Sequence, residues 1–289
     1  MPSNQPAFTE VLAPSLTLGP ITLSVQNIQI MKQFYAEVIG LSLIAESVDR
    51  VTLGFKKTPL VILQQSDLQA SHPRSAGLYH LAILFTSQRD LAHAVKRVVE
   101  KTPDLFSGSG DHLVSEAFYL TDPEGNGVEL YYDRDRSVWQ WEDGLVKMDS
   151  LYIPLPEYIN THAMTSGAHD GMQLGHVHLK VGDIQQAKKF YIDILGFTIT
   201  SHMPSALFMS IGGYHHHLGM NTWESSGAKP RSDSLGLHTF EIVLPAQENL
   251  DALKERLKKA AVSFEEISRG ILFKDPWNNS IHASVQGLE

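Results

Sequence analysis

The stretch Ile21-Thr-Leu-Ser-Val25, followed by Met31-Lys-Gln-Phe34-Tyr35-Ala-Glu-Val-Ile-Gly40-Leu41, decides how the chain is read, because it occurs twice. Its second copy is Val177-His-Leu-Lys-Val181, then Ala187-Lys-Lys-Phe190-Tyr191-Ile-Asp-Ile-Leu-Gly196-Phe197, at a constant offset. The first part of each copy alternates as a short strand does. The second part repeats apolar residues at helical spacing, as in Phe34, Val38 and Ile39. Gly40 and Gly196 stand where a glycine ends a helix.

Working outward, a second pair appears. Tyr79-His80-Leu-Ala-Ile-Leu-Phe85 leads into a helical run at 89–100, and Leu237-His238-Thr-Phe-Glu-Ile-Val243 into another at 249–261. Both continue to an Asp-Pro turn and a last strand. These are Asp122-Pro-Glu-Gly-Asn-Gly-Val-Glu129 and Asp275-Pro-Trp-Asn-Asn-Ser-Ile-His282. Pro, Gly and Asn at these places are turn residues. The chain therefore reads as four βαβββ modules, at 18–66, 77–133, 174–222 and 235–286. An N-terminal segment (1–17) precedes an N-terminal domain (18–133), a linker (134–173) without clear period, and a C-terminal domain (174–286). The fold class is α+β.

Composition narrows the chemistry. The chain of 289 residues has no cysteine, so disulfides, thiolate metal sites and cysteine nucleophiles are excluded. Any metal must be held by His, Asp or Glu, and there are 14 histidines to draw on. A net charge of −9 argues against nucleic acid as a partner. No apolar run approaches the ~20 residues of a membrane span, and the N-terminus lacks the pattern of a signal peptide. A cytoplasmic protein is expected, and a homo-oligomer is compatible with the sequence.

Four modules carrying Phe-Tyr-x-x-x-(Ile/Leu)-Gly helices and an Asp-Pro-x-Gly-Asn-x-x-Glu last strand resemble the vicinal-oxygen-chelate (glyoxalase/bleomycin resistance/extradiol dioxygenase) superfamily. The resemblance covers nearly the whole chain outside the linker and the first residues. It implies paired modules whose mixed sheets curl into cups around a metal. Ligands in that superfamily come from the first and last strands of modules. The first-strand positions here are Pro20, His80, His176 and His238, and the last-strand positions include Glu129 and His282.

Two ligand sets follow. If modules two and three share a cup, the set is His80, Glu129 and His176, a two-histidine, one-carboxylate triad suited to Fe(II). If modules three and four share it, the set is His176, His238 and His282, with no carboxylate. The first is preferred for its residue types and for the residues upstream of Glu129; a carboxylate between Val128 and Leu130 is also costly, if it points into the cup, unless it is paired or metal-bound.

Upstream of Glu129 lie Tyr119 and His112, in an order similar to the extradiol dioxygenase signature, with the histidine a little nearer the tyrosine than in typical members. In module three the last strand is read as carrying His215, His216 and His217, one of which the resemblance makes an acid–base catalyst. Strand alternation leaves open which of them faces the metal. Gly77-Leu-Tyr-His80, Ser115-Glu-Ala, Arg136-Ser-Val-Trp139-Gln and Gly212-Gly-Tyr-His-His-His217 resemble the catechol 2,3-dioxygenases of the Bacillus type.

That resemblance implies cleavage of catechol or a substituted catechol by O2 to a 2-hydroxymuconic-semialdehyde-type product. The cofactor is Fe(II), with Mn(II) or another divalent metal as the alternative. Tyr119 and His112 would hydrogen-bond the diol and its oxygens. The rival readings are a glyoxalase-type metal-dependent lyase or isomerase, which needs four protein ligands, and a non-catalytic small-molecule-binding protein of the same fold.

Overall fold

Each predicted module folds as a strand, a helix and three strands in the computed structural model, which describes residues 11–163 and 171–287. Module one is β1 (Thr17–Val25), α1 (Ile28–Gln33, widening into a π-helical turn over Phe34–Ile39), β2 (Ser42–Glu46), β3 (Arg50–Phe55) and β4 (Thr58–Gln65). Module two is β5 (Gly77–Phe85), α2 (Gln88–Lys101), β6 (Phe106–Asp111), β7 (Ser115–Thr121) and β8 (Gly127–Asp133). A small hairpin, β9 (Trp141–Glu142) and β10 (Leu145–Val146), and helix α3 (Leu155–His162) follow. Module three is β11 (Met172–Lys180), α4 (Ile184–Lys188, continued by a π-helical turn over Lys189–Ile194), β12 (Thr198–Met203), β13 (Ala206–Ser210) and β14 (Leu218–Asn221). Module four is β15 (Gly236–Leu244), α5 (Gln247–Lys259), β16 (Phe264–Ile267), β17 (Gly270–Lys274) and β18 (Ser280–Val285).

The helix starts are chemically specified. Asn27, Ser87 and Asp183 each accept a hydrogen bond from the backbone N–H three residues on, which satisfies a donor the first turn leaves over. Gly40 ends its helix at φ +96°, a left-handed conformation that favours glycine. It is needed for a second reason, since a Cβ there would lie 2.5 Å from the Arg97 guanidinium. That guanidinium donates to the carbonyls of Val38 and Ile39, which the π turn leaves unpaired. Arg256 does the same for Ile194 and Leu195 in the second half.

The strands assemble across the halves of the sequence. One eight-stranded sheet runs β16-β17-β18-β15-β1-β4-β3-β2, and the other β12-β13-β14-β11-β5-β8-β7-β6. Module one thus pairs with module four, and module two with module three. The division into 18–133 and 174–286 describes order along the chain, whereas each sheet takes one module from either side of it. Each half is tied together by its helices and turns instead. Tyr35 donates to Asp122 at 3.0 Å and Tyr191 to Asp275 at 2.9 Å, both buried. Among the described residues no helix is long and apolar enough to cross a membrane.

Candidate metal centre and its cavity

The site is built on one face of the sheet of modules two and three. Hydrogen-bonded register places His176 beside Ala82, Ala82 beside Glu129, and Glu129 beside Tyr119, on β11, β5, β8 and β7. Residues in such a lateral row point to the same side of the sheet. Strand alternation then brings His80 and His178, two positions from Ala82 and His176, to that side as well. A register shift at Gly175 interrupts the β11–β5 ladder next to His176. Gly175 is required there, because a Cβ would lie 1.7 Å from the Tyr131 hydroxyl. Ala82, in the middle of the row, is small enough to leave room between its neighbours.

His80, Glu129 and His176 converge. Nε2 of His80 lies 3.2 Å from Nε2 of His176, and Oε2 of Glu129 lies 3.0 Å from the first and 3.2 Å from the second. Donor atoms at right angles on a metal about 2.1 Å away would be separated by about 3 Å. Among the described residues this is the one set of three or more such side chains whose ligand atoms lie within 4.8 Å of one another. All three are buried.

Their protonation also suits a metal. Burial by itself would raise the Glu129 carboxyl, but His176 and His80 outweigh it and hold the group well below the usual carboxylate range. Burial pulls His176 down to about 4, against the attraction of Glu129. A carboxylate and an uncharged imidazole are the forms in which these side chains bind metal.

The alternative set is not assembled. His238 and His282 sit on β15 and β18, in the other sheet, because those strands pair with β1 rather than with β11. There His282 lies 3.5 Å from Glu241, and the exposed His238 lies 3.3 Å from Ser24.

Tyr119 and His112 meet across the β6–β7 hairpin. Nδ1 of His112 donates to the Asp149 carbonyl at 2.7 Å, which leaves Nε2 to accept from the Tyr119 hydroxyl at 2.6 Å. The hairpin turns through Leu113 at φ +67°, and Arg134 braces it by pairing with Asp111 and Glu116. Gly110 provides the space, since a Cβ there would lie 2.8 Å from the His112 ring. Burial, followed by the nearby Glu129 charge, pushes the Tyr119 hydroxyl well up, so it keeps its proton.

The three consecutive histidines are not on a strand. β14 begins only at Leu218, and the run lies in the turn before it, where Gly212 and Gly213 adopt φ of +66° and +62°. Alternation therefore does not govern it, and the three rings take three separate environments. His216 lines the cavity, with its ring centroid 4.1 Å from that of His176. Burial and the surrounding histidines hold His216 well below its ordinary pKa. His215 is fully buried, between Asp133 at 2.8 Å and Nδ1 of His216 at 2.7 Å. His217 turns to Ser210 at 2.8 Å, and burial pulls it down to about 3.

Beside His80 and Glu129 opens a cavity of about 460 Å³, within the ~300–1,000 Å³ usual for small-molecule sites. Tyr79, Phe208 and Trp223 form aromatic walls, and Met203 adds an apolar one. The segment read as a linker contributes too, for Met148, Asp149 and Ser150 line the cavity and Trp139 packs against His215. Residues 164–170 of that segment lie outside the described residues.

Two site residues were missed in the sequence. His178 stands 4.9 Å from His80, centroid to centroid, and accepts from the Asn221 amide at 3.0 Å. The His176-Val-His178 spacing, which puts both rings on one strand face, was the available signal. Asp133 follows Glu129 and Tyr131 at alternate positions of β8 in the same way.

A family model for the Glyoxalase/Bleomycin resistance protein/Dioxygenase superfamily matches residues 17–130 and 173–282. The sequence is 38% identical over 270 residues to Catechol-2,3-dioxygenase of Bacillus subtilis (strain 168), covering 90% of this chain and 93% of the relative. The structure is similar to that of a putative dioxygenase from Bacillus subtilis subsp. subtilis str. 168, with TM-score 0.64 and 12% identity over 93% of this chain and 85% of the other. It is also similar to glyoxalase I from Zea mays, with TM-score 0.59 and 15% identity over 94% and 92%. At such identities the structural likenesses speak for the fold alone.

Proposed function

Because the chain belongs to the Glyoxalase/Bleomycin resistance protein/Dioxygenase superfamily, we propose that it is an extradiol ring-cleaving dioxygenase. Its substrate would be catechol or a substituted catechol. The ring opens between a hydroxylated carbon and its unhydroxylated neighbour, and both atoms of O2 enter a 2-hydroxymuconic-semialdehyde-type product. The observation that carries this reading is the convergence of His80, Glu129 and His176 beside a cavity that also holds the His112–Tyr119 pair and His216. The relative named Catechol-2,3-dioxygenase supports it.

His80, Glu129 and His176 would hold Fe(II), with Mn(II) or another divalent ion as the alternative. The bound ion supplies a single centre at which the diol and O2 meet with most of the entropic barrier removed. Tyr119 donates to His112 and so keeps its oxygen lone pairs for a diol hydroxyl, with His112 behind it as proton acceptor. His216 faces the same space and would exchange a proton with a diol oxygen. Tyr79, Phe208 and Trp223 stack about the aromatic ring and exclude water.

A glyoxalase-type lyase would ask for a fourth protein ligand. Among the described residues the group able to hold a metal contains three side chains, and none of His215, His216 and His217 is among them, which favours the dioxygenase reading. The test is oxygen uptake by anaerobically Fe(II)-loaded protein on adding catechol, with absorbance followed for a yellow semialdehyde. Uptake with yellow product is expected. Bound iron without uptake would move the reading to a glyoxalase-type lyase or to a different diol.

A further inference from the structure

We infer that Asp133 and His215 act as positioning residues that set the tautomer of His216, so that its Nε2 faces the cavity as a proton acceptor. The inference rests on the dioxygenase reading for the reaction it serves, but its structural content stands on hydrogen bonds alone.

Three groups form a chain that leads from β8 into the cavity. Asp133 Oδ1 lies 2.8 Å from Nε2 of His215, and Nδ1 of His215 lies 2.7 Å from Nδ1 of His216. A carboxylate can only accept, so the ring proton of His215 sits on Nε2 and is donated to Asp133. In the neutral ring its Nδ1 then carries a lone pair. Two facing Nδ1 atoms share one proton, which His216 must therefore provide. His216 has its proton on Nδ1, and its Nε2 is left with a lone pair. As the nitrogen not engaged by His215, Nε2 is the one available to the cavity that His216 lines.

The surroundings keep the chain in this arrangement. The rings of Tyr214 and Trp139 pack on His215 with centroids 4.2 and 5.3 Å away, and Thr200 bonds its carbonyl. Both histidines are buried, so water does not compete for these bonds. His217, the third of the run, bonds Ser210 instead and takes no part.

The chemical consequence is specific. When a diol O–H approaches His216, the proton passes from oxygen to Nε2, and the imidazolium formed is stabilised through His215 by Asp133. The same proton later returns to a product oxygen, so no net charge is left on the ring. With the opposite tautomer, Nε2–H would already be occupied and the first transfer blocked.

The tautomer is read directly by two-bond 1H–15N correlation on the full-length, 15N-histidine-labelled protein loaded with diamagnetic Zn(II), with His216→Asn used for assignment. A protonated Nδ1 and unprotonated Nε2 for His216 are expected in the wild type. A proton on Nε2 would overturn the inference, whatever the variants do.

Two variants then separate positioning from packing. His215→Phe keeps a ring but removes the acceptor. It should shift His216 toward the Nε2–H form and lower kcat of the Fe(II) enzyme on the order of tenfold to a hundredfold, with KM little changed. His215→Asn places an amide oxygen near the former Nδ1 and should recover most of that loss. Equal kcat for the two variants would overturn the inference. If the wild type takes up no oxygen with catechol or substituted catechols, the dioxygenase reading falls, while the tautomer is still decided by the spectra.

Discussion

Nε2 of His112 and the hydroxyl of Tyr119 lie 2.6 Å apart, joined by a hydrogen bond that the Asp149 carbonyl orients from the far side of the imidazole ring. They stand seven positions apart in sequence, and only the tight β6–β7 hairpin brings them face to face. Tyr119 sits one strand from Glu129, so the pair flanks the candidate metal rather than binding it. Tyr119→Phe should therefore lower kcat roughly 10²- to 10⁴-fold, the usual scale for a lost proton-transfer partner. Iron content, measured by elemental analysis, should stay at the wild-type value. Loss of iron in this variant would count against the assignment.

Gly110 makes the same bond testable without touching either partner. Its replacement by alanine puts a methyl carbon 2.8 Å from the His112 ring, far inside contact distance, and the ring must move off Tyr119. Gly110→Ala should reproduce much of the kcat loss of His112→Ala, with little further loss when the two are combined. Additive losses would show that the glycine serves something other than this contact.

The two ligand sets differ in one carboxylate and in one sheet. Glu129→Ala should abolish stoichiometric Fe(II) binding, since it removes the carboxylate between two buried histidines. His282→Ala should retain the metal, because His282 lies in the other sheet beside Glu241. Metal content after loading and desalting distinguishes them. Retention by the first variant and loss by the second would reverse the assignment.

Buried Asp122, which receives the Tyr35 hydroxyl, makes stability depend on pH in an unusual direction. Burial pushes its carboxyl up to about 6, even though hydrogen bonds from Asn126, Tyr35 and Glu124 pull it down. The folded state thus holds this proton more tightly than the unfolded state. The group's contribution favours folding below the unfolded value near 4 and is lost as pH rises through about 6. Tyr35→Phe removes a hydrogen bond worth more to the charged carboxylate than to the neutral acid. It should cost about 1.5–3 kcal/mol at pH 8 and about 0.5–1.5 kcal/mol at pH 4. Urea unfolding at the two pH values measures the difference, and equal losses would contradict the assigned role.

Much of the fold was legible because its signals are local. The repeated Phe-Tyr helices, Gly40 at their end and the Asp-Pro turns each follow from a few neighbouring residues and their backbone chemistry. The histidine run shows where such reading stops. Sequence pattern places His215, His216 and His217 on a strand, but the preceding Gly212 and Gly213 carry the chain through a turn instead. His178 and Asp133 are not singled out by sequence, because their signal is alternation with a site residue, which many strand residues share.

By itself the sequence determined four strand–helix–strand modules, the absence of cysteine chemistry, and a short set of histidines and one carboxylate able to hold a metal. The tertiary structure decided which modules share a sheet, and so which histidines share a site. The reason is physical. Periodicity sets the face a side chain takes on its own strand, whereas the neighbour of that strand is chosen by packing between distant segments. His80 and His176 are 96 residues apart, and it is the pairing of β5 with β11 that sets their nitrogens 3.2 Å from each other.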